Sequence, residues 1–155
     1  MRRHCRGFTL LELMIVIVLI GVLLGMVSFA TGPSPVRQAR QEADALVRMI
    51  HQLRERAVLA GQEHGLRLSV DGYRAMRLEG RGWEPVTALY RWPENLRLRL
   101  EQDGHTVRLG ADEGPPQLLI LSSDETSAFT LTFATREATW LSLSSDGIGE
   151  PVIDG

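Results

Sequence analysis

The sequence predicts an α+β chain, in which a long N-terminal helical part packs on an antiparallel β-sheet domain. Three observations predict it. Residues 8–30 form an almost unbroken apolar run, residues 36–60 repeat their apolar positions at helical spacing, and after Gly65 the apolar period drops to two, punctuated by Asp-Gly pairs. Helices first and strands afterwards argue for α+β rather than for alternating α/β units. The chain has 155 residues, 44% of them hydrophobic, and one cysteine, which excludes a disulfide scaffold and a disordered chain alike.

The first element is a short basic flank. Residues 1–7 carry Arg2, Arg3 and Arg6 and no acid, so this end stays cytoplasmic under the positive-inside rule and the rest lies outside. The apolar run of 23 residues follows. At about 1.5 Å per residue it reaches roughly 35 Å as a helix, enough for a hydrocarbon core of about 30 Å. Ser28-Phe29-Ala30 has the small-x-small form of a cleavage site. Yet the run exceeds the roughly 7–15 residues of a removable signal, and it contains Glu12. A removable signal and a plain signal anchor stand as the two ordinary alternatives.

Glu12 is the single charge in the run. A carboxylate in a membrane costs about 2.5–3.5 kcal/mol on insertion scales, so it calls for a cation at its own depth. Cleavage between Gly7 and Phe8 would create one, the α-amino group of Phe8, to face the Glu12 of a neighbouring helix. The plainer reading has Glu12 snorkel to the cytoplasmic headgroups, since it lies only one turn inside the run. Gly21 and Gly25 form a G-x-x-x-G pair that permits close helix approach. The same spacing also arises by chance.

Gly7-Phe8-Thr9-Leu10-Leu11-Glu12-Leu13, behind a basic leader and ahead of a long apolar run, resembles the class III signal of type IV pilins and type II secretion pseudopilins. The resemblance implies that residues 1–7 are a leader, that a prepilin peptidase cuts after Gly7 and N-methylates Phe8, and that Glu12 pairs with a neighbour's amino terminus during assembly. Cys5 then leaves with the leader. The implied partners are other pseudopilins, major and minor, met through the N-terminal helix. The prepilin peptidase, the inner-membrane assembly platform and inner-membrane lipid complete the set. Many major pilins carry a proline within the apolar run; here the first prolines, Pro33 and Pro35, lie beyond it.

Gly32-Pro33-Ser34-Pro35 should kink or interrupt the helix, with residues 31–62 expected as its amphipathic continuation. Ala39, Ala43, Leu46, Ile50, Leu53, Ala57 and Ala60 recur at spacings of four and three, a core-facing stripe, and Gly61 is placed to stop it. Residues 63–155 then read as about seven short strands. Leu66, Leu68 and Val70 alternate with polar residues before Asp71-Gly72, and 73–78 returns, with 83–86 as a further candidate strand. Leu96, Leu98 and Leu100 alternate with arginines before Asp103-Gly104, and 105–109 returns. Segments 117–121, 129–133 and 139–143 complete the set, the first preceded by Pro115-Pro116. One sheet is expected, burying a face against the second helix. A long helix, half in membrane and half on a strand-rich domain, resembles the pilin architecture. The tail, with Trp140-Leu141-Ser142-Leu143 and Asp146-Gly147, resembles the GspH/FimT group of minor pseudopilins.

Signals for chemistry are weak. His4, His51, His64 and His105 have no metal-ligand spacing with acid or cysteine support. Asp112-Glu113 and Asp124-Glu125 could contribute to a calcium loop, but the twelve-residue ligand pattern is missing. No nucleophile-elbow pattern is present. The expectation is therefore a chain without catalytic residues, metal or cofactor. Residues 109–155 contain eight acids against Arg136 alone, which argues against nucleic acid as a partner. Arg74, Arg77, Arg97, Arg99 and Arg108 fall at solvent positions of the hairpins and form the one candidate basic patch. The expected function is that of a structural subunit, a minor pseudopilin near the tip of a secretion pseudopilus that supports export of folded proteins. It would be a single-pass protein of the bacterial inner membrane with its domain in the periplasm. A FimT/FimU-like minor pilin of a type IV pilus is the nearest alternative, disfavoured by a mature chain without cysteine. A membrane-anchored periplasmic binding module is the alternative of another class.

Overall fold

The computed structural model describes residues 9–29, 34–135 and 138–155, in two compact units, residues 1–34 and 35–155. The first holds helix α1 (Leu10–Phe29). Its hydrophobic side chains from Leu10 to Leu23 are exposed. Side chains are described as far as Leu23, and over the described residues no helix is long and apolar enough to cross a membrane. The 23-residue span remains a reading of the sequence.

The second unit opens with α2 (Pro35–Ala60). Pro35 occupies the first helical position, where its missing N–H costs nothing. Ser34, restrained by the following proline, is not helical. α2 starts at Pro35, within the 31–62 segment, while Gly32 and Pro33, where the kink or interruption is expected, lie outside the described residues. At the other end Gly61 takes φ +60°. The N–H of Gln62 reaches back to the carbonyl of Ala57 at 3.1 Å, the closing bond of a Schellman cap.

Ten strands follow: β1 (His64–Leu68), β2 (Gly72–Glu79), β3 (Gly82–Pro85), β4 (Tyr90–Arg91), β5 (Arg97–Gln102), β6 (His105–Val107), β7 (Leu118–Ile120), β8 (Phe129–Ala134), β9 (Thr139–Ser145) and β10 (Val152–Asp154). The α+β class and the antiparallel pairing are as expected, but the strands divide into two sheets. One runs β3-β2-β1-β7, with β4 also on β2; the other runs β10-β9-β8-β5-β6. α2 packs on β1 and β7 of the first and on β9 of the second. A single helix stripe therefore seals both sheets.

That stripe is the predicted one, with one exception. Ala39, Ala43, Leu46, Ile50, Leu53 and Ala57 are at most 2% exposed, whereas Ala60, at the last turn, faces solvent. Opposite them lie Leu66, Leu68, Ala75 and Ile120 from the first sheet, and Leu100, Leu131, Phe133 and Leu143 from the second. Burying each of these leucines contributes about 1.5–3 kcal/mol. The alanines leave room for the sheets to approach the helix axis. Every member of this core lies in residues 35–155, so the unit carries its own stabilising interior.

The two Asp-Gly turns differ. At Asp103-Gly104 both residues take positive φ, +51° and +74°, and β5 returns into β6 with Gln102 opposite His105, as the hairpin signal predicts. At Asp71-Gly72 the turn begins earlier. Ser69 is fully buried, its N–H bonds the carbonyl of Gly72 at 2.8 Å, and its hydroxyl donates to the same oxygen at 2.9 Å. The chain has therefore left the strand before Val70, which is exposed and not inward as its place in the alternation implied. Gly72 is required for another reason: a Cβ there would collide with the backbone carbonyl of Tyr90. That contact brings β4 onto β2, stacks Tyr90 on Tyr73 (5.3 Å between centroids) and sets Trp92 against Tyr73 (4.7 Å). The indole N–H of Trp92 donates to the carbonyl of Ser69 at 3.0 Å. Gly72→Ala should displace β4 and cost about 1–3 kcal/mol. The check is a urea melt together with the near-ultraviolet circular dichroism of the Tyr73–Trp92 pair; an unchanged melt would contradict this account.

Candidate functional site

Gly7 and Phe8 lie outside the described residues; the rest of the candidate segment begins at Thr9. The Thr9 carbonyl accepts the N–H groups of Glu12 (3.0 Å) and Leu13 (3.3 Å), and its hydroxyl accepts the Glu12 N–H at 3.3 Å. Thr9 is thus the N-cap of α1, and Glu12 stands at the third helical position. Thr-x-x-Glu is the spacing of a capping box, a signal present in the sequence. The acid also sits at the helix end where the macrodipole favours negative charge. Gly21 lies mid-helix with nothing within 4 Å of where its Cβ would be. Gly25 is in the same helix, one turn on.

The candidate basic patch is divided. Arg67 and Arg74, cross-strand neighbours on β1 and β2, converge on Asp112: Arg67 Nη1 lies 3.3 Å from Oδ1, and Arg74 pairs with Oδ2. Both arginines are largely shielded, at 11% and 23% exposure, so Arg74 does not hold the solvent position the alternation assigned to it. Arg77 pairs with Glu79, and Arg99 with Glu101 at 3.3 Å. An acid from the acidic third of the sequence thus folds back onto the arginines of the first hairpin.

The second acidic loop is held in the same way. Arg54, from α2, reaches between two loops. Its Nε donates to Asp124 Oδ1 (3.0 Å) and its Nη2 to the Asp124 carbonyl (2.9 Å) and the Ile148 carbonyl (3.1 Å). Its Nη1 donates to the Gly149 carbonyl at 3.1 Å. The second loop is shaped by Asp146-Gly147. Asp146 Oδ1 accepts the N–H groups of Gly149 (2.8 Å) and Ile148 (3.0 Å), and these bonds, the one from Gly149 foremost, hold its carboxyl below the usual carboxylate range. Gly147 has φ +93°, its carbonyl accepts the Thr126 N–H at 2.7 Å, and a Cβ on it would lie 2.6 Å from the Thr126 oxygen. The tail motif is therefore a loop-building device. Of the candidate calcium residues, Asp112 gives both carboxylate oxygens and Asp124 gives Oδ1 to arginines. Among the described residues no three His, Cys, Asp or Glu side chains are grouped to hold a metal.

With this geometry in place, comparison with known proteins is direct. The model for the prokaryotic N-terminal methylation motif matches residues 2–28, which include Gly7, Phe8 and Glu12. The type II secretion system protein H of Pseudomonas aeruginosa is 42% identical over 98% of this chain and 97% of its own length. That of Vibrio cholerae is 32% identical over 82% of this chain and 81% of its own length. Among solved structures, the minor pseudopilin EpsH from the type II secretion system of Vibrio cholerae has the same fold, with TM-score 0.67 at 24% identity. It is matched over 99% of its length and covers 79% of this chain. The solution structure of Escherichia coli GspH agrees, with TM-score 0.62 at 23% identity, covering 77% of this chain and 89% of its own. By sequence over nearly its whole length, the chain belongs to the type II secretion system protein H family.

Proposed function

We propose that the chain is a minor pseudopilin, a structural subunit of a type II secretion pseudopilus and not an enzyme. The observation that carries this reading is the near full-length 42% identity to a secretion system protein H, with the methylation motif at residues 2–28. In this reading residues 1–7 are removed after Gly7, and Phe8 becomes the methylated N-terminus. The apolar run anchors the chain in the inner membrane and later lies in the filament core. Gly21 and Gly25 let a neighbouring helix approach. The domain 35–155 stands in the periplasm and acts near the tip beside other minor pseudopilins, after the inner-membrane assembly platform has added the subunit.

The test is Gly7→Ala in the full chain. Peptidase recognition of a glycine at the cut predicts that the precursor accumulates with its leader, seen as a slower band and an unprocessed N-terminal sequence. Normal maturation at Phe8 would overturn the proposal.

A further inference from the structure

One surface of the domain presents an open strand edge beside a groove. β5 pairs with β8 along Arg97–Glu101, but with β6 only over Leu100–Gln102. Past Val107 the chain leaves the ladder, and the Gly110 carbonyl accepts the N–H of Val70 from the other sheet's turn. On the β6 side, residues 97–99 of β5 therefore have no strand neighbour among the described residues. The divergence opens a groove of about 520 Å³, within the range of about 300–1,000 Å³ of sites that take a ligand. Its floor includes Leu96, Leu98 and Val107, its rim Arg97, Arg99 and Arg108, and Glu94 is the one acid among its lining residues. Arg97 and Arg108 are exposed; Arg99 is shared with Glu101.

The opposite edge of the same sheet has the complementary character. β10 ends the strand order there. The segment leading into it exposes Ile148 at 75%, and the first residue of β10, Val152, is 54% exposed. Around these apolar tips Asp146, Glu150 and Asp154 are all exposed.

We propose that the arginine-rimmed groove of one copy receives the acidic, apolar-tipped 148–152 segment of a second copy of this chain. The inference rests on the filament-subunit reading and names a surface for it. Because groove and segment lie at opposite ends of one sheet, the contact is heterologous and can repeat from copy to copy. Opposite charges set its register while the isoleucine and valine fill the apolar floor. One loop in one groove buries less than the about 1,200–2,000 Å² of a stable dimer. The contact is therefore weak between free domains and gains its effect where anchored subunits share a membrane at high local concentration.

Sedimentation equilibrium of residues 35–155 at low salt, up to millimolar concentration, tests it. The wild-type domain should self-associate weakly, and added salt should reverse this. A groove variant, R97E/R99E/R108E, and a segment variant, E150R/D154R, should each lose association by about tenfold or more. An equimolar mixture of the two restores opposite charges and should regain it, which a merely misfolded variant would not do. A wild-type domain that stays monomeric overturns the proposal and leaves the groove to a different protein; so do variants that associate like wild type, or a mixture that stays apart. None of these readouts depends on leader cleavage, so the subunit reading stands or falls separately on Gly7→Ala.

Discussion

Arg54→Ala is expected to cost the domain about 2–4 kcal/mol and to release two loops at once. Arg54 is the only side chain that bonds both the loop around Asp124 and the loop at 146–149 among the described hydrogen bonds, and it does so with four of them. Three of its acceptors are backbone carbonyls, two of them in the loop at 146–149, which a planar fork of donors can span and a point charge cannot. A hydrogen bond to a charged group contributes about 1.5–3 kcal/mol net. The four are not additive, and Asp124 is 61% exposed, so water recovers part of the loss. Arg54→Lys should lose nearly as much as Arg54→Ala, because one ammonium cannot reach both loops. Urea unfolding measures the global loss. Amide hydrogen exchange locates it: protection at Thr126 and Gly149 should fall while β8 keeps its own. An Arg54→Ala domain with wild-type midpoint and exchange would remove the latch from this account.

How far the sequence foretold such features depends on the length scale of each signal. The α2 stripe, Ala39 to Ala60, repeats over about six turns, so its six inward residues were legible, and only Ala60 in the last turn misled. The Asp103-Gly104 hairpin was legible because the turn type itself demands positive φ at both positions. β4 and β10 were missed because, unlike the equally short β6 and β7, they neither directly follow a hairpin turn signal nor lie in a longer apolar run. The division into two sheets was invisible for a different reason: strand alternation marks which face is buried but not which strand is the neighbour. Pairing across distance was the least legible of all. Asp112 lies 45 residues from Arg67, and Asp124 lies 70 from Arg54. From the sequence, the acidic third looked like a separate repelling tail; in the fold its acids neutralise arginines of β1, β2 and α2. In the candidate segment the Gly-Phe-x-x-x-Glu pattern was legible, but the cap made by Thr9 was overlooked, because Glu12 was weighed for its membrane depth and not for its place in the first helical turn.

That overlooked cap sharpens the second large expectation, which concerns Glu12. Two readings meet at this residue, a local one at the N-terminus of α1 and the proposed intermolecular one opposite a neighbour's α-amino group, and two substitutions separate them. Glu12→Gln keeps a side chain able to complete the capping box but removes the charge; Glu12→Ala removes both. Glu12→Ala leaves the Thr9 cap in place, so its local cost stays below the about 0.5–2 kcal/mol of losing an N-cap, at most a few tens of fold in an equilibrium. Leaving a neighbour's ammonium unpaired at membrane depth forfeits about 2.5–3.5 kcal/mol, on the order of a hundredfold in subunit incorporation. If the charge is what assembly reads, both variants should be cleaved after Gly7 like wild type and both should fail to enter the pseudopilus to the same degree, with export falling accordingly. If the cap is what matters, Glu12→Gln should assemble normally and only Glu12→Ala should fail. Cross-linking of processed subunits into sheared filaments, read beside the proportion of mature protein, distinguishes the two. Full incorporation of Glu12→Gln would refute the pairing with a neighbouring amino terminus and leave Glu12 as a helix cap; failure of both with normal cleavage identifies it as the carboxylate that the exposed α-amino group of the next subunit requires.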